Sequence, residues 1–155
     1  MIVTFCGHST YIKRSSDEDT LLAFLENRIG DTPVEFFLGG YGGFDHFAYG
    51  CAKRFQQKHP NAKLVFVTPY LQIKKAEQEL GKYDLIVYPE LERVPPRYAI
   101  SRRNKWMVER ADVVIAYITH RHGGAYTTYC HAKRKKKEIF DLIGKSCEED
   151  QLPSL

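Results

Sequence analysis

Residues 37–55 read FLGGYGGFDHFAYGCAKRF. Four glycines, Gly39, Gly40, Gly42 and Gly43, fall within five positions, and the pattern changes on either side of them. Upstream, Val34-Glu35-Phe36-Phe37-Leu38 is a short apolar run with the character of a buried strand. Downstream, Phe44, Phe47, Ala48, Cys51, Ala52 and Phe55 recur at the spacing of one helix face. A strand that turns through glycine into a helix is the first half of a βαβ unit.

The same alternation continues in both directions. Apolar, β-branched runs predict strands over 2–6, 34–38, 63–68, 85–88 and 113–118. A weaker run over 139–143 reads as a strand or as an extension of the preceding helix. Helical periodicity predicts helices over 19–29, 44–58, 71–80, 98–110 and 125–137, with Pro60, Pro69 and Pro95-Pro96 between elements. Ile100, Met107 and Ala111 fit one buried face of the fourth helix. Short, uniformly apolar strands separated by helices predict right-handed crossovers and a parallel sheet covered on both faces. The expected fold class is α/β: a single Rossmann-like three-layer α/β/α domain with a mainly parallel sheet of five to six strands. That domain is expected over 1–145, with a polar tail over 146–155. No internal repeat or domain boundary is visible.

The chain of 155 residues is long enough for one domain with a substantial core. Its 43% hydrophobic and 27% charged residues are the balance of an ordinary globule. No apolar run approaches the ~20 residues of a membrane span, which predicts no membrane partner. The first residues enter a strand directly, with no basic leader, and Cys6, Cys51, Cys130 and Cys147 form no C-x-x-C pair. Both features predict a cytoplasmic, reduced protein. The net charge of +4 suits anionic ligands without indicating nucleic acid by itself. Helical faces rich in aromatic residues predict a homo-oligomer.

In a doubly wound sheet, ligands bind beyond the carboxyl ends of the strands. Two loops there carry glycines. Gly39-Gly40-Tyr41-Gly42-Gly43 opens a helix whose first N–H groups have no internal partner, and glycine lets a phosphate approach them closely. A tight turn requiring positive φ explains one or two of these glycines without a ligand. Asp45, in the first turn, repels a phosphate, so its expected contact is a ribose or base group, or the loop itself. Gly123-Gly124-Ala125-Tyr126-Thr127-Thr128 repeats the design, with Thr127 and Thr128 placed to cap the helix or bond a phosphate oxygen. The third feature is Ser101-Arg102-Arg103-Asn104-Lys105, where an arginine aimed at the sheet edge can grip a phosphate through two N–H groups.

Other constellations are weaker. Lys133-Arg134-Lys135-Lys136-Lys137 closes the last helix, where cations suit the dipole; the alternative role is attraction of nucleic acid. His120 and His122 lack a third metal ligand and read as the roof of a pocket or as exposed side chains. Cys130 and His131 are adjacent on a helix, about 100° apart, and cannot act as a dyad. No metal site and no cofactor are expected. Tyr41 and Tyr126 are placed to flank a base.

Four segments together resemble the SLOG superfamily, named for the DNA-processing protein DprA and the "lonely guy" nucleotide hydrolases. TFCGHST resembles the family's first strand and loop at Cys6-Gly7-His8-Ser9. GGYGGFD resembles its second loop, with Asp45 matching a Gly-x-Asp form. RRNKWMVERADVVIAY resembles its Arg-Asn/Lys-x-x-Met helix through Arg103, Asn104 and Met107. GGAYTTYCHA resembles its Gly-Gly-x-x-Thr loop through Gly123, Gly124 and Thr127. The resemblance implies a Rossmann-like nucleotide-binding fold. In members that hydrolyse the N-glycosidic bond of nucleoside monophosphates, the last loop leads to a glutamate; here Cys130 stands at that position and Tyr126 replaces a glycine.

These readings converge on a protein that binds a nucleotide or nucleotide-derived ligand through its two glycine loops. Gly39, Gly40, Gly42, Gly43, Gly123 and Gly124 are expected to supply backbone contacts. Thr127, Thr128 and Arg103, beside Asn104, hold phosphate, Asp45 meets the sugar, and Gly7, His8 and Ser9 line the floor. The alternatives are an N-glycosidic hydrolase, with Asp45 and Arg103 as its catalytic residues, and a nucleic-acid-binding module using the basic C-terminal helix.

Overall fold

Strand β1 (Ile2–Gly7) is buried on both sides, with Val3 and Phe5 facing one helix layer and Thr4 and Cys6 the other. Such a strand belongs at the centre of a sheet. The chain continues through α1 (Asp17–Arg28), β2 (Val34–Leu38), α2 (Gly42–Lys58), β3 (Ala62–Val67) and β4 (Leu85–Val87). A 3-10 turn at Pro96–Tyr98 then leads into α3 (Ala99–Arg110), β5 (Val113–Tyr117), α4 (Gly123–Arg134) and β6 (Glu138–Asp141). This computed structural model describes residues 1–71 and 81–144; the helix expected over 71–80, apart from Leu71, the tail over 146–155 and Cys147 lie outside the described residues.

The six strands are all parallel and ordered β4-β3-β2-β1-β5-β6. Val3 of β1 stands opposite Phe36 of β2 on one side and Val113 of β5 on the other. The chain winds outward from β1 to β4, crosses back, and winds the other way through β5 and β6. Right-handed crossovers in opposite directions put helices on opposite faces. Helices α1 and α2 accordingly pack over Val3, Phe5, Phe36 and Ile115, and α3 and α4 over Cys6, Phe37, Val65 and Val114. The expected three-layer α/β fold is present, and the run over 139–143 contributes strand β6. Helix α4 ends before it because Lys136 takes a positive φ of 54°, which no helix accommodates.

The α2 face is the predicted one: Phe44, Phe47, Ala48, Cys51, Ala52 and Phe55 are all buried. The α3 face is the predicted one at Met107 and Ala111 but not at Ile100, which is 39% exposed; Ala99, Arg103 and Val108 are buried as well. Bulk apolar character misleads here because Ile100 stands over a cleft, while Arg103 has polar partners waiting inside.

The β1–α1 connection is fixed by one carboxylate. Asp17 is 1% exposed, accepts from the Tyr11 hydroxyl at 2.6 Å and the Arg14 amide at 3.1 Å, and pairs with the Arg14 guanidinium. Tyr11 then packs edge-on against Phe44 and Tyr117. A loop held this firmly presents Gly7, His8 and Ser9 in a set position beside the point where strand order reverses.

Candidate functional site

At the carboxyl ends of β1 and β5, where the winding direction changes, lies a cleft of about 300 Å³. Gly7, His8 and Ser9 line it from β1, Tyr41 and Asp45 from the first glycine turn, and Arg103 and Asn104 from α3. Gly123, Gly124 and Thr128 line it from α4. Four chain-distant segments singled out in the sequence therefore meet in one place. Gly39, Gly40, Gly42, Gly43 and Thr127 are not among its lining residues.

The first glycine turn approaches its own chain closely. At Gly40 (φ +73°) a β-carbon would stand 2.5 Å from the Phe66 ring, and at Gly42 (φ +89°) 2.8 Å from Ser9. At Gly43 it would stand 2.5 Å from the Tyr11 carbonyl oxygen, and the Gly43 amide already donates to the Ser9 carbonyl at 2.8 Å. Asp45 reaches back to accept from the Tyr41 amide at 2.9 Å. Internal packing thus accounts for the small residues of this turn, and two of its amides are engaged by the protein.

The second turn is different. Nothing lies within 4 Å of a β-carbon built on Gly123 or Gly124. Like Tyr41 before α2, the N-cap residue His122 makes no side-chain cap bond, but the first turn of α4 holds no acidic residue where that of α2 holds Asp45. The Thr127 and Thr128 hydroxyls turn away to donate to the Gly123 and Gly124 carbonyls at 3.1 and 2.8 Å, bonds to the preceding helical turn. Partial positive charge at this helix start faces the cleft without a carboxylate from its own first turn to neutralise it.

Arg103 is 1% exposed and works as a brace. Its Nη1 donates to the Gly39 carbonyl at 2.9 Å and the Val67 carbonyl at 2.6 Å, and its Nε to Asn104 Oδ1 at 2.9 Å. It ties together the carboxyl ends of β2 and β3. Asp45 sits near this cation, yet burial pushes its carboxyl up from 3.8 to about 6, partly opposed by the Tyr41 amide and by Arg103. The folded protein therefore binds this proton more tightly than the unfolded chain does. Ionised Asp45 costs stability in full above pH 6, and the cost fades as pH falls through 6 toward 3.8. Asp45→Asn is expected to be more stable than the parent by about 1–3 kcal/mol at pH 8. In paired melting curves that difference shrinks steadily below pH 6; a variant less stable than the parent at pH 8 contradicts the assignment.

Beside the open helix start, three imidazoles stack. The His8 and His120 rings lie 3.6 Å apart at 12°, and His120 and His122 4.1 Å apart at 33°. His8 is buried and accepts the Thr119 amide at Nε2, 3.0 Å away; burial, then the two neighbouring rings, hold it below its ordinary pKa and favour the neutral form. The sequence places His8 on the floor and reads His120 and His122 as a roof or as exposed side chains, without revealing their contact. The available signal was position: both segments leave strands that can be sheet neighbours. Cys6, also in the lining, donates its thiol to the Ala125 carbonyl at 3.0 Å, and burial pushes that thiol far above its ordinary range, which disfavours the thiolate. Cys130 is not among the lining residues; Asp45 is the carboxylate that is.

The basic run lies at the other end of α4. Gly123 and Arg134 are the two ends of a 12-residue helix, roughly 17 Å apart along its axis. Lys133 stacks on Tyr129, with its Nζ 4.6 Å from the ring centre, and Lys137 donates to the Glu109 carbonyl. Among the described residues, no group of three His, Cys, Asp or Glu side chains is placed to hold a metal ion, and no helix is long and apolar enough to cross a membrane.

No family model matches the sequence, and no curated protein does. Solved structures of DNA processing protein A share the fold. DNA processing protein A (DprA) from Streptococcus pneumoniae is 15% identical with a TM-score of 0.64, over 94% of this chain and 51% of that one. DprA from Helicobacter pylori, solved to describe its single-stranded DNA binding mode, is 17% identical with a TM-score of 0.62, over 91% of this chain and 64% of that one. The chain thus spans between half and just under two thirds of the DprA chains it resembles, and its fold is a DprA-like Rossmann fold.

Proposed function

We propose that this protein binds single-stranded nucleic acid by seating one nucleotide unit in the cleft between β1 and β5, its phosphate on the N-terminus of α4. The observation that carries the reading is the bare start of that helix: two glycines with open space above them and no side-chain cap. Free helix-terminal amides bond phosphate oxygens directly, and the dipole adds to the attraction. The DNA-binding DprA from Helicobacter pylori, built on the same fold, supports a strand as the bearer of that phosphate. The excess of 23 Lys and Arg over 19 Asp and Glu supports it further.

Fluorescence anisotropy of a labelled oligothymidylate tests this. Binding is expected to weaken as salt rises from about 50 to about 200 mM, with a log–log slope of roughly −1 to −3, the signature of a few phosphate contacts on a single strand. Folded protein that binds no strand at the lower salt concentration rules the reading out. The cleft volume of about 300 Å³, at the lower end of small-ligand sites, favours a second reading in which the ligand is a free nucleotide. A nucleoside monophosphate that binds as tightly as the strand selects that reading.

A further inference from the structure

We propose that the outer face of the His122 imidazole is a stacking platform for the base of the nucleotide whose phosphate sits on α4. The proposal rests on the phosphate reading above and adds the group that recognises the base.

The geometry is that of a column. His8 and His122 both lie within about 4 Å of the His120 ring centre. Two rings at such distances cannot share one face of an imidazole, because they would occupy the same volume. His120 is therefore sandwiched, and the order is His8, His120, His122. The inner end is fixed: His8 is 5% exposed at the end of β1 and is locked by the Thr119 amide. The middle ring is steadied by the Thr119 hydroxyl, 3.2 Å from His120 Nδ1. The outer end, His122, is an exposed residue that lines the cleft.

A column that begins in the core and ends in a free aromatic face at a binding cleft is prepared for one more ring. Its rings are already ordered, so a base that joins them costs little additional side-chain entropy. His122 is also the N-cap of α4, immediately before Gly123. The platform and the anion-binding amides thus lie within one helical turn, roughly 5 Å, which a nucleotide's sugar spans. Every base has a π-face, so such a platform accepts all of them with little sequence preference.

The test compares two strands of equal length, oligodeoxyadenylate and an abasic deoxyribose-phosphate strand, in anisotropy titrations with parent, His122→Ala and His122→Phe proteins of matched melting temperature. His122→Ala is expected to weaken oligodeoxyadenylate about tenfold and to change abasic binding less than about twofold. His122→Phe, which keeps a ring, is expected to stay within about threefold of the parent on both. Equal weakening of both strands, or of neither, by His122→Ala overturns the platform. Gly124→Asp separates this from the underlying reading. It weakens both strands if phosphate sits on α4, and if it leaves both unchanged the phosphate reading fails whatever His122 does. A parent protein that binds neither strand overturns both.

Discussion

Arg103→Met is expected to destabilise the fold by about 3–5 kcal/mol and to lower the melting temperature by roughly 10 °C. Arg103 is among the largest fully buried side chains of the described residues, and its Nη1 serves two carbonyls at the ends of neighbouring strands. Methionine fills much of the volume but leaves the Gly39 and Val67 carbonyls and the Asp45 carboxylate in a low-dielectric site without their cation. Each carbonyl stranded in this way costs about 1–3 kcal/mol. Arg103→Lys separates a brace from a phosphate ligand. Lysine keeps the charge but replaces the planar fork by a single ammonium, so a brace loses stability in both variants, the lysine variant by less. A pure phosphate ligand would lose affinity in both and keep its melting temperature. Thermal melts at a fixed pH decide between the two.

Gly124→Asp is expected to move stability and binding in opposite directions. A carboxylate in the first turn of α4 improves the helix by about 0.3–1 kcal/mol. The β-carbon meets nothing within 4 Å, so no clash offsets the gain. At the same time the carboxylate competes for the amides that phosphate needs and repels the anion by about 4 kcal/mol at contact distance. Strand affinity is expected to fall about 100-fold or more while the melting temperature holds or rises. A variant that binds as the parent does, or that loses binding only because it unfolds, removes α4 from the account.

Much of this is legible in the sequence. The run Val34-Glu35-Phe36-Phe37-Leu38 is β2 to the residue, because a strand buried between two helix layers has an apolar signature that little else shares. The α2 face was equally clear from its spacing. The bracing role of Arg103 is less legible, although the sequence contains the signal for its burial. Arg103 lies three residues after Ile100 and four before Met107, on the face assigned to the core. Its charge argued for the ligand, whereas its position argued for burial, and position prevailed because Gly39 and Val67 offered carbonyls inside.

The glycines show a different limit. Composition reveals that Gly40, Gly42 and Gly43 need space, not what fills it; Phe66, Ser9 and Tyr11 are brought there by tertiary packing. Gly123 and Gly124 look the same in sequence and have nothing above them. The histidine column was also hidden, since His8 and His120 meet through the pairing of β1 with β5, and strand order is not written locally.

Amide chemical shifts recorded by two-dimensional NMR during an oligothymidylate titration test the central claim most directly. The largest changes are expected at Gly123, Gly124 and Ala125, saturating together with those at Gly7 and Ser9, while the amides of Lys133 to Lys137 move only slightly. Changes concentrated on the basic run, with the start of α4 silent, would contradict the account.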